Sequence, residues 1–341
     1  VLTAHEGSAA FAAAVTGRLT GVPGLCIATV GPGATNLTTG VGCAWLDRAP
    51  LIAITCNLTR AQLGRRRQMG IDHHALFKPI TKASLSLQSG AIFPVMAQAL
   101  AIALSEPPGP VHLDLPEDVA LAPATEPIGA LPTPTPVGNA PEESIAGAGQ
   151  VLLRARRPLA VIGADALRLR DPRLLLAVVE RFRMPFATTL MAKGMIDEDH
   201  PLSLGCVERA MRTLQRDLIR SADLVVGLGY DTVEVEYEAW VGTVPVLHVG
   251  VERADVDPGV RMAQEVAGNL DATLGRLAEL PAGPNDWTAD LVRRHRARFQ
   301  NALRPAQVTF APHQAIDAVR RALPREGVLA FDVGAHTHQI G

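Results

Sequence analysis

The sequence has no surplus of charge and no long apolar run. Its 32 Lys and Arg residues nearly balance 34 Asp and Glu residues, which leaves a formal charge of −2 over 341 residues. Without a basic surplus there is no electrostatic footprint for nucleic acid or for an anionic membrane. No apolar run approaches the roughly 18 residues of a membrane span, and no signal peptide opens the sequence. We therefore expect a soluble protein that binds neither nucleic acid nor membrane.

Cysteine and aromatic residues are also scarce. The four cysteines are Cys26, Cys43, Cys56 and Cys206. They have no metal-ligand spacing, and the first three lie in apolar runs where a small buried thiol is ordinary. This pattern predicts a reducing, cytoplasmic setting. Aromatic residues make up only 4% of the sequence, while Ala, Leu and Val are abundant, which is typical of buried parallel strands covered by helices.

What the sequence does contain is an alternation of apolar strands and helical patterns. Over residues 1–119 the apolar runs are Leu25–Val30, Leu51–Thr55 and Val111–Leu115, and the same alternation returns over residues 144–280. Strands that alternate with helices require right-handed crossovers and a parallel sheet. The predicted fold class is therefore α/β, with two doubly wound parallel-sheet domains.

Three other segments differ from these domains. Residues 120–143 are rich in proline, which predicts an extended linker. Residues 281–325 contain two helical patterns and predict a helical connection. A strand-like run at Gly327–Val333 predicts that residues 326–341 begin a third α/β domain. The sequence starts without Met and stops just after this run, so we expect one strand-turn-helix piece before Val1 and most of the third domain after Gly341.

The sharpest pattern lies between His5 and Asn36. Glu6 opens a helical run, an apolar strand follows, and the turn Gly31–Asn36 then leads into a new helix. This places a carboxylate beside a close turn at the ligand-binding end of a parallel sheet. Taken alone, Glu6 is equally explained by the helix dipole and the glycines by packing. No Lys-Ser or Lys-Thr pair follows the glycines, which argues against a phosphate-binding loop.

This segment resembles the pyrimidine-binding domain of thiamine-diphosphate enzymes of the acetolactate synthase group. The resemblance rests on the His5–Glu6 pair, its spacing to Gly31, and the Gly-Pro-Gly-Ala-Thr-Asn turn. It continues in the same order through further residues, namely Asp47, Ala49, Pro50, Pro79, Ile80, Thr81, Lys82, Gly109, Pro110, Val111, Pro116, Asp118 and Val119. It implies a pyrimidine-binding domain at 1–119, a central Rossmann-like domain at 144–280, and the start of a diphosphate-binding domain at 326–341.

The resemblance also implies roles for the residues of the turn. Glu6 would be catalytic, since a glutamate bonded to N1′ of the aminopyrimidine favours the tautomer that takes up the C2 proton. Gly31, Pro32, Gly33 and Asn36 would bind the cofactor by shaping its pyrimidine pocket. We expect burial to raise the pKa of Glu6. Mg²⁺ and the diphosphate would be held by the C-terminal domain, so no metal ligand is predicted in this sequence, and the enzyme would be a homodimer or homotetramer.

The loop before Pro79 is expected to face the substrate. In the family a Gln lies at the position that Met69 occupies here, and Gln68 is displaced by one residue. We take Gln68, His73 and His74 as candidate substrate-loop residues, although two adjacent loop histidines are more often solvated than functional. The substrate preference therefore stays open.

The second domain is predicted to lack FAD. The first strand end, Gly163–Asp165, has no Gly-x-Gly, and Tyr230–Glu234 resembles the flavin-free acetolactate synthases. Carboxylates there would also disfavour a diphosphate. Near the C-terminus, His336 and His338 are expected to approach the substrate only in a complete enzyme.

The implied function is decarboxylation of a 2-oxo acid such as pyruvate followed by carboligation to a second one. The chain alone is expected to be inactive because it would lack the metal and diphosphate site. Two alternatives stay open. One is thiamine-dependent decarboxylation, acyl transfer or oxidation without carboligation. The other is a non-catalytic nucleotide-binding or regulatory module in which Glu6 is idle.

Overall fold

The computed structural model describes residues 1–131, 133, 135–207, 212–304, 306, 310–334 and 336–340. The chain divides into two units, Val1–Pro136 and Val137–Gly341, and the division lies within the predicted linker. Pro132 and Pro134 of that linker lie outside the described residues. So do residues 208–211, at the start of a helix predicted over 207–221, and Ala335 and the side chain of His338.

The first unit is a four-stranded parallel sheet with helices on both faces. Its elements are α1 (Glu6–Thr20), β1 (Gly24–Ala28), α2 (Pro32–Leu46), β2 (Leu51–Asn57), α3 (His73–Phe77), β3 (Ala83–Ser86), α4 (Ile92–Leu104), β4 (Pro110–Pro116) and α5 (Glu117–Ala120). The strand order is β1-β2-β4-β3, and all neighbours are parallel. Successive residues of β2 enter different cores, since Leu51 and Ala53 pack with α1 and α2 whereas Ile52 and Ile54 pack with α4.

Strand β1 is less buried than the sequence predicts. It lies at the sheet edge and pairs only with β2 among the described strands. Cys26 and Ala28 are buried, whereas the side chains of Leu25 and Ile27 are 52% and 55% exposed. The prediction of a strand buried on both faces is wrong here, because an apolar run does not reveal whether a second layer covers it.

Strand β3 has no counterpart among the predicted strands. Its sequence, ASLS, is short and half polar, and the strand exists because Ala83–Ser86 pair with residues 111–114 of β4. Strand β4 itself was read as apolar, yet it contains the buried residues His112 and Asp114. Strands β3 and β4 thus both bring polar side chains into the sheet. These side chains determine what the edge of the sheet can bind.

The second unit is built on a six-stranded parallel sheet. Its elements are α6 (Glu142–Arg154), β5 (Pro158–Ile162), α7 (Arg173–Arg181), β6 (Phe186–Thr188), β7 (Ser203–Cys206), α8 (Arg212–Arg220), β8 (Leu224–Leu228), β9 (Val246–Gly250), β10 (Met262–Ala267), α9 (Leu270–Glu279), α10 (Ala289–Leu303), α11 (Pro312–Ala322) and α12 (Thr337–Ile340). The strand order is β10-β9-β8-β5-β6-β7. Ala160 and Ile162 enter one core while Leu159 and Val161 enter the other, so this sheet is also covered on both faces. The predicted fold class, two parallel-sheet α/β domains, is confirmed.

The strand predicted at Gly327–Val333 is wrong. No residue between 327 and 333 is in a strand, and the side chains of Val328 and Val333 are each 91% exposed. A strand requires a hydrogen-bonded neighbour, and an apolar sequence alone does not supply one. The helices predicted over 285–302 and 311–322 are confirmed as α10 and α11.

Candidate functional site

The carboxyl ends of β1, β2, β4 and β3 lie along one edge of the first sheet. In open α/β sheets this edge is where ligands bind, because the loops that follow the strands leave backbone groups and side chains free to face outward. The turn after β1 and the loop after β2 both start at this edge. The predicted site residues are distributed between that turn, that loop and the start of α1.

The start of α1 fixes the position of Glu6. The Nδ1 atom of His5 caps the helix by accepting the Gly7 N–H at 3.0 Å, which leaves Glu6 in the first turn. Helices α1 and α2 approach closely, since a Cβ on Gly40 would lie 2.5 Å from the Cβ of Ala10. This approach lets Asn36 of α2 donate its side-chain N–H to Glu6 Oε2 at 3.0 Å.

Two glycines shape the turn beside Glu6. Gly31 has a φ of +66°, and a Cβ there would lie 2.8 Å from the main-chain oxygen of Met69. Pro32 then begins α2. A Cβ on Gly33 would lie 2.8 Å from Thr29 Cγ2 and 3.4 Å from Glu6 Oε1. Gly33 thus places no side chain between Thr29 and the Glu6 carboxylate, and the predicted residues Glu6, Gly33 and Asn36 lie together.

The pKa of Glu6 lies below its ordinary value. The main cause is a hydrogen bond from a backbone N–H to the carboxylate, and the Asn36 side chain lowers the pKa further, while burial opposes both. Donors that bond the ionised form lower a carboxyl pKa. The prediction of a raised pKa is wrong, because the backbone N–H and the Asn36 side chain outweigh the effect of burial.

The candidate residues of the substrate loop occupy different environments. Gln68 is exposed, and Met69 is exposed with a φ of +61°. Asp72 caps α3 by accepting the Ala75 N–H at 2.9 Å. His73 is buried and His74 is half-buried, so the expectation of solvated loop histidines is wrong. Helix α3, rather than an open loop, carries both imidazoles.

Helix α3 packs on a polar stripe of the sheet that the sequence reading missed. Residues two apart point to the same face, so Thr55 and Asn57 of β2, Ser84 and Ser86 of β3, and His112 and Asp114 of β4 form one stripe. We call these six residues together with His73 and His74 the histidine network. Polar residues at i and i+2 near the ends of three neighbouring strands were the signal that could have found it.

Hydrogen bonds join the histidine network from end to end. Its contacts are His73 Nδ1 to Thr55 Oγ1 at 2.8 Å, Thr55 Oγ1 to His112 Nε2 at 2.8 Å, His112 Nδ1 to Ser84 Oγ at 2.7 Å, Ser84 Oγ to His74 Nδ1 at 2.6 Å, and His74 Nε2 to Ser86 Oγ at 2.9 Å. Asn57 donates to Asp114 Oδ1 at 2.7 Å, and the same oxygen lies 3.3 Å from His73 Nδ1.

The network holds one neutral imidazole and one ionised carboxyl group. Burial lowers the pKa of His112 to about 3 against the attraction of Asp114, and the ring stacks on Phe77 at a centroid distance of 4.2 Å. Burial alone would raise the pKa of Asp114, but hydrogen bonds from His73 and Asn57 outweigh it and leave that pKa below its ordinary value. At neutral pH His112 is therefore uncharged and Asp114 is charged.

His73, His112 and Asp114 are the one described group whose residue types could hold a metal ion. Their potential ligand atoms lie within 4.8 Å of one another. The Thr55 hydroxyl, however, lies 2.8 Å from a ring nitrogen of each histidine, within hydrogen-bond distance of both. A metal would have to displace it. We therefore interpret the group as hydrogen-bonded side chains and not as a metal centre.

A cleft of about 560 Å³ opens at the same edge of the first unit. The histidine network forms part of its wall through Asn57, His73, His74, Ser86 and Asp114, and the loop after β2 forms the rest. Arg65 and Arg66 line the loop side of this cleft. It is large enough for a small organic acid, and its wall carries two guanidinium groups, of Arg65 and Arg66, and two carboxyl groups, of Asp72 and Asp114.

One backbone N–H at the corresponding edge of the second unit is already bonded. Glu234 Oε2 accepts the N–H of Ala164, just after β5, at 2.8 Å. A Cβ on Gly163 would lie 2.6 Å from the Cα of Tyr230. A diphosphate at this edge would need such N–H groups as donors, and that of Ala164 is taken by a carboxylate in this structure.

Two family models match the sequence. Residues 1–76 match the model described as "Thiamine pyrophosphate enzyme, N-terminal TPP binding domain", and residues 145–277 match "Thiamine pyrophosphate enzyme, central domain". Each match lies within one of the two structural units. No described helix combines the length and the apolar character needed to cross a bilayer.

Several curated proteins are similar over nearly the whole chain. The acetolactate synthase large subunit of Parasynechococcus marenigrum is 29% identical over 98% of the chain, and the isozyme 1 large subunit of Escherichia coli is 31% identical over 98%. A Pseudomonas aeruginosa protein named "Probable 2-ketoarginine decarboxylase" is 33% identical over 98%. The chain spans 57%, 60% and 60% of the length of these relatives, respectively.

Proposed function

The chain belongs to the thiamine pyrophosphate enzyme family, and from this premise we propose that the full-length protein uses this cofactor, also called thiamine diphosphate, to decarboxylate a 2-oxo acid such as pyruvate. The enzyme then joins the product to a second 2-oxo acid. The observation that carries the proposal is the meeting of Glu6, Asn36 and Gly33, with Asn36 bonded to the Glu6 carboxylate and Gly33 directly beside it. The similarity to acetolactate synthase large subunits supports the ligation step.

These three residues fit an aminopyrimidine ring. Glu6 offers a carboxyl group that would share a proton with a ring nitrogen, and Asn36 fixes its orientation through the 3.0 Å bond. Gly33 keeps the carboxyl group uncovered, because a Cβ there would lie 3.4 Å from Glu6 Oε1. When bound, thiamine diphosphate supplies the carbon nucleophile and the electron sink that decarboxylation of a 2-oxo acid needs.

A second candidate is decarboxylation without ligation. Met69 stands where the resemblance expects a Gln, and Gln68 is exposed beside it. The 33% identity to a protein named as a 2-ketoarginine decarboxylase favours the same alternative. The two candidates share Glu6 and the turn at Gly31, and they differ only in what captures the product of decarboxylation.

The remaining requirements of the reaction are proposals of the same kind. We propose that Mg²⁺ and the diphosphate are held outside this chain, by a C-terminal domain, and that the enzyme is a homodimer or homotetramer. We propose that it needs no FAD, which the bond from Ala164 N–H to Glu234 supports. Four free cysteines support a reducing, cytoplasmic location.

The test is to incubate the full-length protein with thiamine diphosphate, Mg²⁺ and pyruvate or other 2-oxo acids, and to identify products by mass spectrometry. The proposal predicts CO₂ and a ligated hydroxy-oxo acid, whereas an aldehyde alone would indicate the second candidate. The 341-residue chain should be inactive. Cofactor binding unchanged in Glu6→Gln, with no turnover in either form, would indicate a regulatory module.

A further inference from the structure

The buried side chain of His73 contacts the turn at Gly31. The Gly31 N–H donates to His73 Nε2 at 3.5 Å, and both residues are buried. Gly31 has a left-handed conformation and rests on the main chain of Met69. A buried N–H requires an acceptor, and His73 supplies it for the amide that opens the cofactor turn.

This hydrogen bond requires one tautomer of His73. Nε2 must carry a lone pair, because it faces an N–H donor. Nδ1 must then carry the proton, and it lies 2.8 Å from Thr55 Oγ1 and 3.3 Å from the ionised carboxylate of Asp114, both of which accept. In the opposite tautomer, Nε2–H would face the Gly31 N–H, a donor against a donor. The lone pair of Nδ1 would then face the carboxylate of Asp114. Two neighbours on opposite sides of the ring thus select the same neutral form.

The rest of the histidine network agrees with this tautomer. If His73 Nδ1–H donates to Thr55, the Thr55 hydroxyl donates to His112 Nε2, and His112 Nδ1–H donates to Ser84. Ser84 then donates to His74 Nδ1, and His74 Nε2–H donates to Ser86. Along this series of hydrogen bonds, from His73 to Ser86, every donor faces an acceptor and each imidazole is neutral. The low pKa of His112, about 3, fits its place as an uncharged member.

We propose that His73 is a positioning residue for the cofactor turn: its neutral Nδ1–H form, selected by Asp114 and Thr55, holds the Gly31 amide through Nε2. A second proton on the ring would put an N–H against the Gly31 N–H and release the turn. The effect on cofactor binding rests on the proposed function, whereas the contact between His73 and Gly31 does not.

The charged groups around His73 bear on its protonation. Asp114 and His112 face it from β4, His74 and Asp72 flank it on its own helix, and Arg65 and Arg66 share the cleft wall. The facing parts of β2 are Thr55 and Asn57, and α2 contains no charged residue. Of these groups, Asp114 and Thr55 meet Nδ1 and favour the proton on that nitrogen.

The first test uses hydrogen exchange of the Gly31 amide, which needs no cofactor. In His73→Leu we expect protection of this amide to fall by up to about tenfold, the effect of one lost hydrogen bond. In His73→Gln the side-chain oxygen can accept the same N–H, so protection should be restored. The Gly64 amide, which is also left-handed but has nothing within 4 Å of a Cβ, is the internal control. Equal exchange of Gly31 in all three proteins overturns the proposal.

The second test reads the tautomer in the wild-type chain. Long-range ¹H–¹⁵N spectra should show His73 protonated at Nδ1 and unprotonated at Nε2 at neutral pH. A proton on Nε2 at neutral pH, or a tetrahedral Co²⁺ absorption band on adding the metal, would contradict the hydrogen-bonded arrangement.

The third test connects the turn to the cofactor in the full-length protein. Calorimetry should show thiamine diphosphate binding weakened about tenfold in His73→Leu and restored in His73→Gln. If Gly31 responds as expected but the wild-type protein binds no cofactor, the proposed function fails while the positioning role stands. If Gly31 does not respond, the positioning role fails whatever the cofactor does.

Discussion

Glu6 depends on its neighbours for both its place and its charge. His5 caps the helix that presents it, and Asn36 bonds its carboxylate from the facing helix. In the chain alone, hydrogen-bond donors keep the pKa of Glu6 low. N1′ of a neutral aminopyrimidine carries a lone pair and no proton, so a proton would have to be taken up when the ring binds and be shared between that nitrogen and Glu6. The backbone N–H of Glu6 and the Asn36 side chain thus set the chemical state of the candidate catalyst before the ring binds.

His112 makes the stability of the first unit depend on pH. Its pKa in the folded chain, about 3, is far below the ordinary histidine value of about 6.5. The unfolded chain therefore takes up this proton first, so the contribution to stability is complete above pH 6.5 and is lost as pH falls toward 3. The limiting slope is about 1.4 kcal/mol per pH unit.

We expect His112→Asn to remove this slope. Urea denaturation of wild type and variant between pH 6.5 and 4.5 should show the wild type losing about 1 kcal/mol or more per pH unit relative to the variant. Other carboxyl groups titrate in both proteins, so they cancel in the difference. Parallel stability curves would mean that His112 is protonated in the folded chain.

At the residue scale, spacing carried information about which side chains lie together, while their roles at a cofactor stay predictions. Glu6, Gly33 and Asn36 meet as the spacing and the resemblance indicated. His112 and Asp114 were missed because a strand with alternating Val and Leu looks apolar even when its other face is polar. Which face of β4 meets α3 depends on how the sheet packs, and a single sequence does not contain that directly.

At the scale of elements, the turn between β1 and α2 is fixed by a close approach. A Cβ on Gly31 would lie 2.8 Å from both the Cβ and the main-chain oxygen of Met69. The loop after β2 therefore contacts the turn at Gly31 directly. This contact couples the position of that loop to the conformation of Gly31.

A pair of alanine substitutions tests how firmly this turn is held. Gly31→Ala and Gly64→Ala both place a Cβ at a positive φ, at a cost of about 1 kcal/mol or more each. Gly31 also has a ψ of −111° and a Cβ there meets Met69, so we expect Gly31→Ala to cost roughly 1–3 kcal/mol more in urea denaturation. Equal losses would show that the turn at Gly31 relaxes without penalty.

Strands were predicted well where a continuous run of apolar residues marks them in the sequence. Strands β1, β2 and β4 overlap the three apolar runs predicted in the first domain, with bounds that differ by at most two residues. Strand β3 was missed because ASLS has little strand propensity of its own and is a strand through its pairing with β4. The run at 327–333 failed for the converse reason, since it has the propensity but no paired neighbour.

At the scale of the whole molecule, the chain consists of two separately packed units joined through residues 120–141. Leu121 and Ile128 are exposed in this segment. Limited thermolysin digestion should cut there first, because the enzyme prefers exposed apolar residues in extended chain. Mass spectrometry should find one fragment per unit, each retaining its circular dichroism. Early cuts within either sheet would contradict this division.

The central claim is that Glu6 acts on bound thiamine diphosphate. The most direct measurement is the rate at which the C2 proton of the cofactor exchanges for deuterium on the full-length protein, followed by acid quench and NMR. We predict that Glu6→Gln still binds the cofactor but slows this exchange by about 100-fold or more, whereas Glu143→Gln, an exposed control on α6, leaves it unchanged. Exchange at the wild-type rate in cofactor-loaded Glu6→Gln would contradict the claim.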